Sequence, residues 1–240
     1  MNILLTGGAS GLGQAITRKL AVGPQIGKIY FTYNNSVDDA RQLETEFNNT
    51  TGIRCDFVNP DQVESLVSQI PEMDLDVLIN NAIIGITNKH FHKTDYTIFE
   101  QGFQNDIVPV IRITQEAIKL FRKKKLGKII NILTSFLINK PPTGLSEYVA
   151  KKAYLLSLSK SWAAENADFN ISSNCISPSF MQTGLTSDTD ERIVEQLVKA
   201  HPLKRLLKPE EVAESVLFFI NSTQHINGVN FVINAAQDIG

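Results

Sequence analysis

A tyrosine and a lysine stand four residues apart, at Tyr148 and Lys152, in a stretch with a strongly helical pattern. Residues at this spacing lie on one face of an α-helix, one turn from each other. A nearby ammonium group favours the ionised form of a phenol, whose ordinary pKa is about 10. The pair therefore predicts a tyrosine that exchanges a proton closer to neutral pH. Taken alone, the two residues are also compatible with an incidental pair on an amphipathic helix.

A serine stands thirteen residues before this tyrosine. Ser135 directly follows an apolar run, Lys128–Thr134, that predicts a strand. In an open α/β sheet the carboxyl ends of the strands border the ligand crevice. Ser135 is therefore expected to face the same crevice as Tyr148.

A glycine-rich turn joins the first predicted strand to the first predicted helix. It reads Thr6-Gly7-Gly8-Ala9-Ser10-Gly11-Leu12-Gly13, a Gly-x-x-x-Gly-x-Gly spacing. Glycines let the backbone turn sharply and let a pyrophosphate approach the amide groups at a helix N-terminus. No Lys-Ser or Lys-Thr follows the last glycine, so the turn is not a P-loop. It predicts a dinucleotide site; a glycine-rich turn without a ligand is the alternative.

Short apolar runs alternate with helical patterns along the whole chain. This alternation predicts an α/β protein with a Rossmann-type, doubly wound parallel sheet of about seven strands and helices on both faces. Strands are predicted at Asn2–Thr6, Lys28–Tyr33, Ile53–Phe57, Val77–Asn80, Lys128–Thr134, Ile171–Ser177 and Asn230–Asn234. Helices are predicted at Leu12–Val22, Val37–Phe47, Asp61–Ile70, Tyr96–Gln104, Ile107–Lys125, Glu147–Ala167 and Pro209–Asn221. No linker interrupts the pattern, so we expect one domain over residues 1–240, with the irregular segment 184–205 covering the substrate.

These residue types and spacings together resemble the short-chain dehydrogenase/reductase family over nearly the whole chain. The spacing of the glycine turn is characteristic of that family, and Asn80-Asn81-Ala82 is similar to its Asn-Asn-Ala-Gly segment. The family's catalytic tetrad is matched in order by Asn105, Ser135, Tyr148 and Lys152. The chain departs from the pattern where Ile83, Ser179 and Ala235-Ala236 replace family glycines.

The resemblance implies hydride transfer between the C4 atom of a nicotinamide and a carbonyl or alcohol. It implies that Tyr148 donates a proton to the carbonyl oxygen, to which Ser135 also hydrogen-bonds. Lys152 is implied to lower the pKa of the tyrosine and to hold the nicotinamide ribose, and Asn105 to position a water. The implied cofactor-binding residues are Gly7, Ser10, Gly11, Leu12, Gly13, Tyr33, Asn34, Asp56, Phe57, Asn81, Ala82, Tyr148, Lys152, Pro178, Met181 and Thr183.

The residues after the second predicted strand bear on the choice of cofactor. NAD-binding members usually carry an acid there, which accepts hydrogen bonds from the ribose hydroxyls. Here the segment reads Tyr33-Asn34-Asn35-Ser36, and the first carboxylate is Asp38. A 2′-phosphate would meet no repulsion and would find amide and hydroxyl donors. NADP is therefore the preferred cofactor, with NAD as the alternative.

The substrate is less constrained by the sequence. Apolar residues after the serine and after Pro178 are candidates for the substrate wall: Phe136, Leu137, Ile138, Phe180, Met181 and Leu185. They suit a 3-oxoacyl chain or another ketone. A sugar-type alcohol dehydrogenase and a non-catalytic dinucleotide-sensing or scaffold protein stay open, since a fold does not select a substrate.

Composition limits the partners and the compartment. The chain has 240 residues, 23 basic and 25 acidic, with a net charge of −2, which disfavours nucleic-acid binding. Its only cysteines, Cys55 and Cys175, are expected to be buried thiols in a reducing compartment. No apolar run suits a membrane span or a secretory signal, so a cytoplasmic protein is expected. His90 and His92 are expected at the surface, with no metal site. The resemblance implies a homodimer or homotetramer.

Overall fold

The computed structural model describes residues 1–138 and 140–237. Its centre is a seven-stranded parallel sheet in the order β3-β2-β1-β4-β5-β6-β7. The strands are β1 (Asn2–Leu5), β2 (Lys28–Tyr33), β3 (Thr50–Arg54), β4 (Val77–Asn80), β5 (Gly127–Ile132), β6 (Ile171–Pro178) and β7 (Asn230–Ile233). This order confirms the predicted Rossmann-type architecture.

Eight α-helices are found within the described residues. They are α1 (Gly11–Ala21), α2 (Val37–Glu46), α3 (Pro60–Gln69), α4 (Tyr96–Gly102), α5 (Val108–Lys124), α6 (Ser146–Asn166), α7 (Glu191–Ala200) and α8 (Pro209–Asn221). Apolar side chains of α1, α2 and α8 form the core on one face of the sheet. Those of α3, α5 and α6 form the core on the other face. None of these helices is long and apolar enough to cross a membrane.

The central strands are apolar because they are covered on both faces. All four residues of β4 and all eight of β6 are buried. Strand β1 pairs with β2 on one side and β4 on the other, so the direction of winding reverses there. Ligands of such sheets bind outside the carboxyl ends of the strands at this switch point.

The predicted third strand, Ile53–Phe57, is wrong in its boundaries. Strand β3 begins three residues earlier, where Thr50 pairs with Ile29 of β2. The apolar residues Cys55 and Phe57 suggested a strand, but they pack into the core from the loop that follows β3. Asp56 therefore lies in that loop, where its side chain accepts a hydrogen bond from the Val58 amide at 3.0 Å.

Segment 184–205 is more regular than the sequence analysis predicts, because α7 occupies its centre. Asp190 caps this helix by accepting a hydrogen bond from the Arg192 amide at 2.8 Å. None of the residues of α7 is buried, although Ile193 and Leu197 lie toward the crevice described below. The sequence does carry a signal for this helix, because Ile193, Val194, Leu197 and Val198 recur at helical spacing.

Candidate active site

The glycine turn between β1 and α1 folds back on itself. Gly7 has a φ of +67°, a left-handed conformation that favours glycine. A Cβ atom on Gly13 would lie 1.8 Å from the carbonyl oxygen of Gly7, so this position has no room for a side chain. Ser10 stands at the N-cap of α1 without hydrogen-bonding to its amides. Those amide groups therefore remain available to an anion, and the turn fits a dinucleotide pyrophosphate.

The loop after β4 is fastened to this turn through Thr6. The Thr6 hydroxyl accepts hydrogen bonds from the amides of Asn81 at 2.9 Å and Ala82 at 3.0 Å. The Asn81 side chain donates to the carbonyls of Thr6 and Gly7, each at 3.0 Å. The Asn-Asn-Ala segment thus sets the shape of the turn and brings two parts of the site together.

A crevice of about 1050 Å³ runs along the carboxyl ends of the strands. Every residue that the sequence analysis assigns to the cofactor lines it: Gly7, Ser10, Gly11, Leu12, Gly13, Tyr33, Asn34, Asp56, Phe57, Asn81, Ala82, Tyr148, Lys152, Pro178, Met181 and Thr183. Of the predicted substrate wall, Phe136, Phe180, Met181 and Leu185 line it, whereas Leu137 and Ile138 do not. The crevice therefore joins the glycine turn to Tyr148 and to these four apolar side chains.

Helix α6 brings Tyr148 and Lys152 to the floor of this crevice. Tyr148 is 8% exposed and Lys152 is 5% exposed. The Lys152 ammonium donates a hydrogen bond to the Ile132 carbonyl at 2.7 Å and lies 5.9 Å from the centroid of the Tyr148 ring. The end of β5 thus holds the lysine beside the phenol.

Burial dominates the acid–base behaviour of this pair. It raises the pKa of Tyr148 to about 12, while the Thr134 hydroxyl, which hydrogen-bonds to the phenol, acts in the opposite direction. Burial lowers the pKa of Lys152 to about 8. The expectation of a more acidic phenol is therefore not met, because desolvation by burial dominates the pKa of Tyr148. At neutral pH the phenol keeps its proton, as a proton donor must.

Ser135 and its neighbours form a short turn after β5. Ser135 begins the 3₁₀ turn Ser135–Leu137 and is 4% exposed. Thr134 caps that turn by accepting a hydrogen bond from the Phe136 amide at 3.3 Å. Thr134 and Phe136 line the crevice, whereas Ser135 does not. The sequence analysis did not single out Thr134, although a hydroxyl at the end of a strand is the same signal that pointed to Ser135.

Asn105 lies outside the crevice lining, in a π-helical turn, Phe103–Ile107, that joins α4 to α5. Turns of this kind are rare and often occur at functional sites. The next residue, Asp106, is buried and ion-paired to Lys151. The sequence predicts a gap between two helices here and gives no sign of the Asp106–Lys151 pair, since the two residues are 45 apart along the chain.

Three family glycines are replaced at two places, which the structure explains differently. Ser179 lines the crevice, and its buried hydroxyl has no hydrogen-bond partner within the described part of the chain. A buried unpaired hydroxyl beside Pro178 fits a site that receives a polar ligand such as a carboxamide. Ala235 and Ala236 keep the left-handed backbone of glycines, with φ of 52° and 59°.

Known proteins match this chain over almost its full length. A family model described as enoyl-(acyl carrier protein) reductase matches residues 7–235. Nodulation protein G of Rhizobium sp. (strain N33) is 30% identical over 237 residues, which cover 96% of this chain and 94% of that protein. The 3-oxoacyl-(acyl-carrier-protein) reductase FabG of Thermotoga maritima is 31% identical over 225 residues, which cover 90% of this chain and 88% of that protein. A solved structure titled short chain dehydrogenase/reductase family protein has a TM-score of 0.84 at 28% identity and covers 98% of this chain and 96% of its own.

The chain belongs to the short-chain dehydrogenase/reductase family, as its motifs predict. It is an NAD(P)-dependent oxidoreductase that transfers a hydride between a nicotinamide and a carbonyl or alcohol group. A non-catalytic sensor or scaffold is not favoured.

Proposed function

We propose that this enzyme reduces a 3-oxoacyl thioester or a related ketone with NADPH. The observation that carries the proposal is the continuous crevice, which joins an anion-binding glycine turn to a buried Tyr148–Lys152 pair and to the apolar side chains of Phe136, Phe180, Met181 and Leu185. Its relative from Thermotoga maritima is named as a 3-oxoacyl reductase, which supports the same substrate class. Apolar residues of the lining, such as Phe136 and Phe180, suit an acyl chain, whereas the hydroxyls of a sugar would need hydrogen-bond partners.

In the proposed reaction a bound nicotinamide supplies the hydride, and the side chains of this chain supply and balance the proton. Tyr148 gives its phenolic proton to the carbonyl oxygen. Lys152 stabilises the tyrosinate that remains, because an ammonium group 5.9 Å from the ring favours the anion. Ser135 is assigned by resemblance to polarise the carbonyl, and Asn105 to hold a water. Thr134, which hydrogen-bonds to the phenol, orients it for the transfer.

The preference for NADP rests on the end of the crevice near β2. Tyr33, Asn34, Asn35 and Ser36 line it and carry no negative charge. Ser36 stands at the N-cap of α2 without hydrogen-bonding to the amides of that helix. Those amides and the side-chain donors suit a 2′-phosphate. Comparison of NADPH with NADH, in affinity by nucleotide fluorescence and in kcat/KM, tests the preference; tighter binding of NADH would assign NAD instead.

The remaining assignments concern the protein as a whole. We propose one domain over residues 1–240, in which segment 184–205, including α7, covers the substrate. We also propose a homodimer or homotetramer, because α6 leaves Tyr154 43% exposed on its outer side. Free, buried thiols at Cys55 and Cys175 support a cytoplasmic location. Light scattering coupled to gel filtration measures the oligomer; a monomer at all concentrations would contradict it.

The deciding experiment follows the absorbance of reduced nicotinamide with a panel of 3-oxoacyl thioesters, simple ketones and sugar alcohols. Turnover of the thioesters or ketones with NADPH supports the proposal. Selective turnover of a sugar alcohol would favour the alternative dehydrogenase. The Tyr148→Phe variant serves as control: it is expected to lose turnover and to keep nucleotide affinity. Nucleotide binding without turnover of any compound by the wild type would contradict the proposed activity.

A further inference from the structure

Three charged side chains are buried together beside the active site. Lys151 is 8% exposed, Asp106 is 6% exposed and Glu147 is 4% exposed. The Lys151 ammonium lies 2.5 Å from a carboxylate oxygen of Asp106 and 2.7 Å from one of Glu147. One ammonium and two carboxylates leave the cluster with a net negative charge. Burial of charge is costly, so such a cluster needs close contacts to persist.

Asp106 connects three elements that carry the active site. One of its oxygens pairs with Lys151 of α6, the helix that holds Tyr148 and Lys152. The other oxygen accepts a hydrogen bond from the amide of Ile84 at 2.7 Å, in the loop after β4. Its backbone belongs to the π-helical turn that contains Asn105. The carboxylate therefore holds α6, this turn and this loop in one arrangement.

The end of α4 is shaped to admit the cluster. A Cβ atom on Gly102 would lie 1.9 Å from the Glu147 carboxylate and 3.3 Å from the side chain of Lys151. Bare backbone at Gly102 thus makes room for the ion pairs.

Lys152, the next residue after Lys151, has no carboxylate within ion-pair distance among the residues described. Its ammonium donates a hydrogen bond to the Ile132 carbonyl. Four groups face it from the surrounding elements: Asp106, Lys151, the Cys175 thiol of β6 and the Tyr148 phenol. Burial raises the pKa of the thiol to about 11 and of the phenol to about 12, so both are neutral at physiological pH. Asp106 is therefore the one negative charge among these four.

We propose that Asp106 is a positioning residue of the active site: its carboxylate ties α6, which carries Tyr148 and Lys152, to the loop after β4, and it is the one negative charge among the four groups that face Lys152. This inference extends the proposed function, because it concerns the lysine that balances the tyrosinate. Removal of a negative charge disfavours a nearby ammonium, so the Asp106→Asn variant is expected to release the Lys152 proton at lower pH.

The test follows the protonation of Lys152 directly, by NMR of protein carrying ¹³C at the lysine ε-carbons. The Lys152→Met variant assigns the resonance. In Asp106→Asn the titration midpoint of Lys152 is expected to fall by at least about half a pH unit. The Glu147→Gln variant removes an equal charge from the same cluster and serves as the matched control, with a midpoint close to that of the wild type. Asp106→Glu is expected to restore most of the shift.

A second readout follows the reaction. The alkaline limb of kcat/KM for reduction is expected to move to lower pH in Asp106→Asn by the same amount as the NMR midpoint. If the wild type shows no turnover, the proposed function fails while the NMR titration still decides the role of Asp106. An unchanged midpoint in Asp106→Asn, or an equal shift in Glu147→Gln, would overturn the inference.

A third variant keeps the test decisive if Asp106→Asn does not fold. Lys151→Gln removes the positive charge of the cluster and leaves Asp106 in place. The Lys152 midpoint is then expected to stay or to rise. A fall in this variant would show that loss of packing alone shifts the titration, and the electrostatic role of Asp106 would be rejected.

Discussion

Replacing Lys152 with methionine removes a buried ammonium and keeps a side chain of similar length. The pKa of Lys152 falls from 10.5 to about 8 on burial. Each unit corresponds to 1.36 kcal/mol, so the charged lysine costs the folded protein about 3 kcal/mol below pH 8. The variant also loses the hydrogen bond to the Ile132 carbonyl, a loss of about 1 kcal/mol. Lys152→Met is therefore expected to abolish turnover and to raise the free energy of unfolding by about 2 kcal/mol at pH 7.

The sign of the pH dependence follows from the lowered pKa. The folded protein binds the Lys152 proton less tightly than the unfolded chain does. The cost is therefore complete below pH 8 and is relieved as the pH rises toward 10.5. The variant gains most over the wild type at pH 7, and its advantage shrinks through this window.

Chemical denaturation at pH 7 and at pH 10 measures the effect, and a gain of about 2 kcal/mol corresponds to a rise in Tm of about 4–8 °C. Lys160→Met, on the exposed side of the same helix, is the matched control, because it removes an ammonium group that is not buried. Equal stability of the variant and the wild type, or a difference constant between the two pH values, would refute the assigned burial cost.

Three further predictions concern other parts of the site. Thr134→Val is expected to lower kcat about tenfold or more, at least as strongly as Ser135→Ala, because Thr134 hydrogen-bonds to the phenol and lines the crevice. Steady-state kinetics compares the two variants. A loss of kcat confined to Ser135→Ala would restore the assignment of Ser135 made from the sequence. Ala235→Gly is expected to stabilise the protein by up to about 1 kcal/mol, since it relieves a φ of 52°; a lower Tm would contradict this. Gly13→Ala is expected to abolish nucleotide binding, measured by fluorescence titration, because its Cβ atom would overlap a backbone carbonyl. Gly85→Ala, whose Cβ atom would have no neighbour within 4 Å, is the control and is expected to leave nucleotide affinity unchanged. Nucleotide affinity retained in Gly13→Ala would contradict the geometry of the turn.

Local features of the sequence were enough to predict the architecture and the cofactor crevice. Alternating apolar runs and helical patterns predicted the parallel sheet, because buried strands and amphipathic helices impose different spacings on apolar residues. The glycine turn was equally readable, since only glycine fits a left-handed bend and a side chain at Gly13 has no room. The helical spacing of Tyr148 and Lys152 placed both on one face and in one crevice.

Properties that depend on distant contacts were decided by the tertiary structure alone. The register of β3 is set by pairing with β2, and the apolar residues after it were no guide to its ends. Burial reversed the expected acidity of Tyr148, because desolvation of the phenolate outweighs the hydrogen bond with Thr134. The link between Asp106 and Lys151 spans 45 residues, a distance at which no local pattern reports a contact. Residue types along the chain thus determine which chemistry is available, and burial and long-range pairing determine the protonation states in which it operates.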